Sequence, residues 1–285
     1  MEKPPAKEPK PRFHDDILTF EQYAKKKHAV PYVFHLAAKD KELEYIGAPH
    51  SNDPSNPLFE HIWEELDALK PDLVLVEGIG SLAQAPSERF KKQLQALTEQ
   101  EAIRAYGENV FTAKIALEKG LQIACPEPKT KETVLWLKQR GFSRDEIFAH
   151  FVSRDLFQSA RLKKKPDVQT YLAPFLHRLQ KELDWKDYDF SLARFQTIHQ
   201  KMFGVPFDAE HLDFYREADD PVPRKGRRYG STNRVSAALS RYRDRFIVDK
   251  IQDYLESRHR ILVVYGASHA VMQEPALRKI MEQNT

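Results

Sequence analysis

Five consecutive apolar or aromatic positions, Ile261 to Tyr265, run without a polar break near the end of the chain. A run that lacks the alternation of a one-sided sheet predicts a strand covered on both faces, as in a mostly parallel sheet flanked by helices. Gly266 and two small residues follow, and they deliver His269 just beyond the carboxyl end of that strand, where open α/β sheets bind their ligands. The same construction stands near the other end, where the strand Glu44-Tyr45-Ile46 is followed by Gly47, two small residues and His50. A third apolar run, Leu73 to Val76, ends on Glu77 and Gly78. If the three strands share a sheet and a direction, two imidazoles and a carboxylate meet at one rim.

The rest of the pattern fills in around these strands. Tyr32–Ala38 and Glu42–Ile46 read as a hairpin turned at Lys39, Asp40 and Lys41. Asn56 as N-cap and Pro57 at the first helical position predict a helix over Leu58–Lys70, with Phe59, Ile62, Trp63, Leu66 and Leu69 on one face. Strand, helix and strand in this spacing make a βαβ unit with a right-handed crossover. Further helices are predicted over Arg89–Thr98, from Tyr106 or Glu108 to Lys119 before Gly120, and over Thr130–Arg140 before Gly141, with a short strand at Gln122–Cys125. From Ser143 to Phe203 only helical stretches follow, at 145–162, 168–183 and 191–203, and the segment 204–230 reads as an irregular loop. Asn233–Ser257 is a long helix whose apolar stripe carries Arg243, a guanidinium that needs an anionic partner, although Lys250 in the same stripe can snorkel to water. Glu274-Pro275 reads as the start of a short terminal helix. The expectation is an α/β fold with a central, mostly parallel mixed sheet flanked by helices. Residues 1–20 form a disordered tether, and 21–285 a single domain with a helical, lid-like insertion at about 143–230.

Composition narrows the function classes. The 285 residues are 31% charged and 41% hydrophobic, a globular balance, and no run is long enough to span a bilayer. Forty-five basic residues against 42 acidic ones leave a net charge of +3, which gives little support to nucleic-acid binding. The basic runs Lys163-Lys-Lys165 and Arg224-Lys-Gly-Arg-Arg228 read as solvated faces, the second also as a loop able to meet an acidic part of a substrate. Cys125 is the only cysteine, which excludes an intramolecular disulfide and a cysteine-based metal site. The Pro/Lys/Glu-rich opening leaves localisation open: a chain complete as given would be cytoplasmic, one trimmed of a leader exported or anchored.

Imidazole and carboxylate are ligands for a divalent metal that activates water, and a histidine oriented by a carboxylate is a general base without one. His50, Glu77 and His269 satisfy either description. A lone histidine after a strand is most often a loop residue, so the weight lies on the matched pair of turns. Glu108 at the head of a helix also suits the helix dipole, and Arg243 also suits a structural ion pair.

The order Gly47-Ala-Pro-His50, a helix, Val76-Glu77-Gly78, then Glu108 heading a helix through Ala113 and Ala116 to Gly120, resembles the TIKI/TraB family of the erythromycin esterase/ChaN-like superfamily. Arg243-Asp-Arg-Phe-Ile-Val-Asp-Lys-Ile251 ahead of Val263-Val-Tyr-Gly-Ala-Ser-His269 extends the resemblance, which covers residues 42–126 and 240–283. In that family an Arg followed by Asn or Asp lies on the helix before a strand ending in Gly-x-x-His. The resemblance implies a hydrolase of peptide or small-molecule ester bonds with His50, Glu77, Glu108, Arg243 and His269 in its catalytic site. It implies a divalent ion (manganese, cobalt or zinc) on His50, Glu77 and His269, or a metal-independent histidine esterase. The ChaN-like relatives imply haem or iron binding without catalysis as the alternative. Residues 143–230 lie outside the resemblance, and the oligomeric state is not legible.

Overall fold

The apolar runs assemble into one five-stranded sheet in a computed structural model that describes residues 11–79, 87–159, 167–222, 226 and 229–283. The strands are β1 (Tyr32–Ala38), β2 (Lys41–Ala48), β3 (Leu73–Val76), β4 (Ile123–Ala124) and β5 (Arg260–Gly266), in the order β1-β2-β5-β3-β4. Only the β1–β2 hairpin is antiparallel; β2, β5, β3 and β4 run parallel. This is the expected α/β architecture with a mostly parallel mixed sheet.

The helices among the described residues are α1 (Phe20–Tyr23), α2 (Leu58–Leu69), α3 (Glu88–Gln95), α4 (Glu99–Tyr106), α5 (Glu108–Glu118), α6 (Thr130–Gln139), α7 (Arg144–Gln158), α8 (Val168–Leu183), α9 (Leu192–Phe203), α10 (Leu212–Asp219), α11 (Ser231–Leu255) and α12 (Ala267–Glu282). Asn56 caps α2 as its position suggests, accepting a hydrogen bond from the Leu58 N–H at 3.0 Å. None of the described helices is long and apolar enough to cross a membrane.

The chain divides into two compact units, and the division falls inside α11. The described residues within 1–19, 27–127 and 244–285 form the first, those within 20–26 and 128–243 the second. In the first unit, one face of the sheet packs Ile46, Val74, Val76, Leu262 and Val264 against Ile62 and Leu66 of α2 and Phe111 and Ile115 of α5. The other face lies under α12, where Tyr45 of β2 hydrogen-bonds Gln273. Coverage on both sides is why Ile261 to Tyr265 are all fully buried and show no alternation. The second unit is helical, with its own core built on Phe148, Trp185, Phe190, Phe195, Tyr215 and Leu239.

Two expectations are corrected and one helix is added. The terminal helix does not start at Glu274: α12 begins at Ala267, directly out of β5, and carries Pro275 in its interior. The segment 204–230 is not wholly irregular, because α10 packs there against α7 and buries Tyr215, whose hydroxyl donates to the Asp208 carbonyl at 2.9 Å. The stretch after α3 is a helix of its own, α4, started by a capping box between Thr98 and Glu101. Residues 1–10 of the expected tether lie outside the described residues, as do Lys163-Lys-Lys165 and Arg224, Lys225, Arg227 and Arg228. From Phe13 onward the same segment packs on the first unit: His14 Nε2 lies 2.8 Å from Asp249 Oδ1, and the Leu18 N–H donates to the Met272 carbonyl at 2.9 Å.

Candidate functional site at the carboxyl edge of the sheet

Register brings the two Gly-x-x-His turns together. Ala48 of β2 stands opposite Gly266 of β5, and Val76 of β3 opposite Val264. His50, Glu77 and His269 therefore leave the carboxyl ends of three adjacent strands on one rim. His50 follows β2 with a φ of 59°, a left-handed conformation uncommon for a side chain of its size. His269 sits in the first turn of α12 rather than in a loop.

The glycines of both turns are required by close approach. A Cβ on Gly47 would lie 2.8 Å from the Tyr32 carbonyl oxygen and 2.8 Å from the Ala270 Cβ, so the bare backbone lets α12 settle onto β2. A Cβ on Gly266 would lie 2.7 Å from His50 Nε2 and 3.4 Å from a Glu77 carboxylate oxygen, so this glycine makes room for the side chains of the site itself.

Each imidazole is held at Nδ1 by a buried carboxylate. His50 Nδ1 is 2.7 Å from Glu108 Oε1, with the histidine side chain 46% exposed and the glutamate 3%. His269 Nδ1 is 2.6 Å from Asp244 Oδ1, with side chains 11% and 1% exposed. Carboxylates that accept from Nδ1–H leave each Nε2 with its lone pair. Glu77 stands beside the His269 ring. Its Oε2 accepts the Gly266 N–H at 2.8 Å, and its Oε1 is 3.8 Å from His269 Nε2, too far for a direct hydrogen bond.

Behind His269 the contacts continue inward. Gln273 Nε2 donates to the same Asp244 Oδ1 at 2.7 Å, and Tyr45 OH donates to Gln273 Oε1 at 3.0 Å. The Tyr265 ring meets His269 edge-on at 6.0 Å between centroids. Burial pushes the Tyr265 phenol well above its ordinary range and, with the charge of Glu127, pushes the neighbouring Cys125 thiol up to about 12. Both are inert neutral groups at physiological pH, so Cys125 is no nucleophile here.

Of the five residues singled out in the sequence, His50, Glu77, Glu108 and His269 lie together in the first unit. Arg243 belongs to the second unit, and the residue after it, Asp244, makes the hydrogen bond to His269. In the sequence Asp244 is overshadowed by the guanidinium beside it, the conspicuous polar group on the apolar stripe of α11; the Arg-Asp pairing is the available signal. Gln273 carried none, since its relation to His269 depends on α12 starting at Ala267. Among the described residues no three His, Cys, Asp or Glu side chains stand close enough together to hold a metal ion as they are. The donor set nonetheless has the chemistry of a metal site: two imidazoles fixed at Nδ1 by carboxylates, Nε2 left over, and a third carboxylate beside them. The chain matches no protein-family model, no curated protein and no solved structure.

Proposed function

We propose that this chain is a hydrolase of peptide or small-molecule ester bonds, a TIKI/TraB-like enzyme with its reaction centre at the carboxyl edge of β2, β5 and β3. The observation that carries this reading is the pair of carboxylate-held imidazoles on one rim with Glu77 beside them. Glu108 and Asp244 each fix a ring and its tautomer, so that Nε2 is the basic atom offered to the cleft. His269, nearly buried, takes the proton of the attacking water at Nε2, and the imidazolium so formed is stabilised by Asp244. The His269 imidazolium then gives that proton to the leaving group, and the half-exposed His50 offers its Nε2 as a hydrogen-bond acceptor to substrate or water at the edge of the site. Glu77, anchored by the Gly266 N–H, orients the water.

In the metal-dependent form His50, Glu77 and His269 would instead hold a divalent ion such as manganese, cobalt or zinc, which would supply Lewis acidity toward the scissile carbonyl and a more acidic water, with His269 Nε2 then serving as a ligand and not as the base. The test is hydrolysis of a peptide and ester panel by wild type, His50→Ala and His269→Ala, with metal analysis of all three. Loss of activity in both variants, with metal content lowered in both, is the expected result. Activity untouched by a chelator would leave a metal-free histidine esterase, and wild-type turnover in both variants would overturn the assignment of the site.

A further inference from the structure

Asp244 receives two hydrogen bonds on one oxygen, from His269 Nδ1 at 2.6 Å and from Gln273 Nε2 at 2.7 Å. An ionised carboxylate can only accept, so both partners must present N–H. That requirement decides which way the Gln273 amide faces: its NH2 turns to Asp244, and its oxygen turns to the Tyr45 hydroxyl, which donates to it at 3.0 Å. Tyr45, Asp244 and Gln273 are completely buried, so no solvent competes for these bonds. Gln273 lies one helical turn beyond His269 on α12, on the same face, while Tyr45 reaches the amide from β2. Asp244 Oδ2 has no hydrogen-bond partner among the described residues, so Gln273 is the second restraint on a carboxylate free to rotate about its last bond.

We propose that Gln273 and Tyr45 are positioning residues: through Asp244 they hold His269 as the Nδ1–H tautomer, with the Nε2 lone pair turned to Glu77. Neither touches the cleft. Donors converge on Asp244 from both ends, Tyr45 to Gln273 to Asp244 on one side and the His269 Nδ1–H on the other. Removing the Gln273 donor lets the carboxylate swing and frees the ring to exchange tautomers. The consequence for turnover rests on the hydrolase reading; the tautomer does not.

The experiment is nitrogen-15 NMR of the histidine side chains in the metal-free full-length protein, for wild type, Gln273→Leu and Tyr45→Phe. Wild type is expected to show His269 as a single Nδ1–H tautomer with a slowly exchanging, far-downfield proton. Gln273→Leu should give mixed tautomers and lose that proton signal, and Tyr45→Phe, which keeps the packing, should fall between. A fall in kcat/KM of roughly 10-fold in Gln273→Leu is expected for a residue that orients a ligand or base from behind. An Nε2–H tautomer in wild type, or an unchanged spectrum in a folded Tyr45→Phe and Gln273→Leu, overturns the proposal. Altered tautomers in a protein that hydrolyses nothing would uphold the positioning role and remove the hydrolase reading instead.

Discussion

Two glycines occupy equivalent places in the two Gly-x-x-His turns, yet the atoms they avoid are different in kind. At Gly47 the obstacles include the backbone of β1 and α12, which cannot step aside. Gly47→Ala is therefore expected to cost about 1–3 kcal/mol, as overpacking does, read as a lowered urea midpoint. At Gly266 the nearest atoms belong to the half-exposed His50 side chain, which can move. Gly266→Ala should fold with a nearly unchanged midpoint but displace His50 and, on the proposed hydrolase reading, lower turnover at least about tenfold. Equal stability losses at the two positions would contradict this division.

Asp219 gives the second residue-scale prediction. Burial raises its carboxyl from the ordinary 3.8 to about 6, and Oδ1 has no hydrogen-bond partner among the described residues. His150, 3.5 Å away, is fully buried and pushed down to about 3, so it is neutral at physiological pH and the pair is not an ion pair. For a carboxyl raised in the fold, the stabilising contribution is complete below about 3.8 and disappears as pH climbs through about 6. Asp219→Asn should therefore leave stability nearly unchanged at pH 4 and raise it at pH 8, by roughly 3 kcal/mol at most. Urea unfolding at both pH values checks it, and a gain at pH 4 alone would reverse the sign. His150 works in the opposite sense, its contribution being present above its ordinary 6.5 and lost as pH falls toward 3.

Among elements, α4 links stability to the site. Its capping box closes with the Glu101 N–H donating to Thr98 Oγ1 at 3.2 Å and the Thr98 N–H to Glu101 Oε2 at 2.8 Å. Its far end accepts a hydrogen bond from Asn52, two residues past His50, at the Ile103 carbonyl, and Gly107 beyond it passes close to the Ser51 carbonyl. Thr98→Ala should cost about 1 kcal/mol. Because α4 braces the turn after β2, Asn52→Ala should lower hydrolysis with a smaller effect on the melting temperature. The elements legible in the sequence were those whose pattern was strong over their whole length, such as β5, α2 and α8. α10 escaped because only Phe214, Tyr215 and Ala218 mark its inner face and Asp and Pro residues crowd its ends. α12 was started late because Pro275 reads as a first-turn residue, whereas Gly266 had already ended the strand. His50 and His269 were legible because the strand-turn-histidine construction occurs twice, Glu77 because it ends the third apolar run, and Glu108 only through its place at a helix head and the family resemblance. Asp244 and Gln273 were not: Asp244 lies on α11 and meets His269 only through tertiary packing, and Gln273, one turn after His269, shares its face only because α12 begins at Ala267.

At the scale of the whole molecule, the core of the second unit is drawn entirely from residues 134–239. A fragment spanning 128–243 should therefore give a helical far-ultraviolet spectrum and a single cooperative thermal transition. A broad, non-cooperative melt would show that this core needs the rest of the chain.

The first unit is the reverse case, since its middle strand is supplied last. β2 and β3 pair with β5 and not with each other, so until residues 260–266 have been synthesised both inner strands carry bare hydrogen-bonding edges. A product halted short of that point would be sticky rather than merely incomplete. It would also lack His269, which follows on the same late segment. On the proposed hydrolase reading, the strand that joins the two halves of the sheet and the histidine that works at its edge are therefore made together.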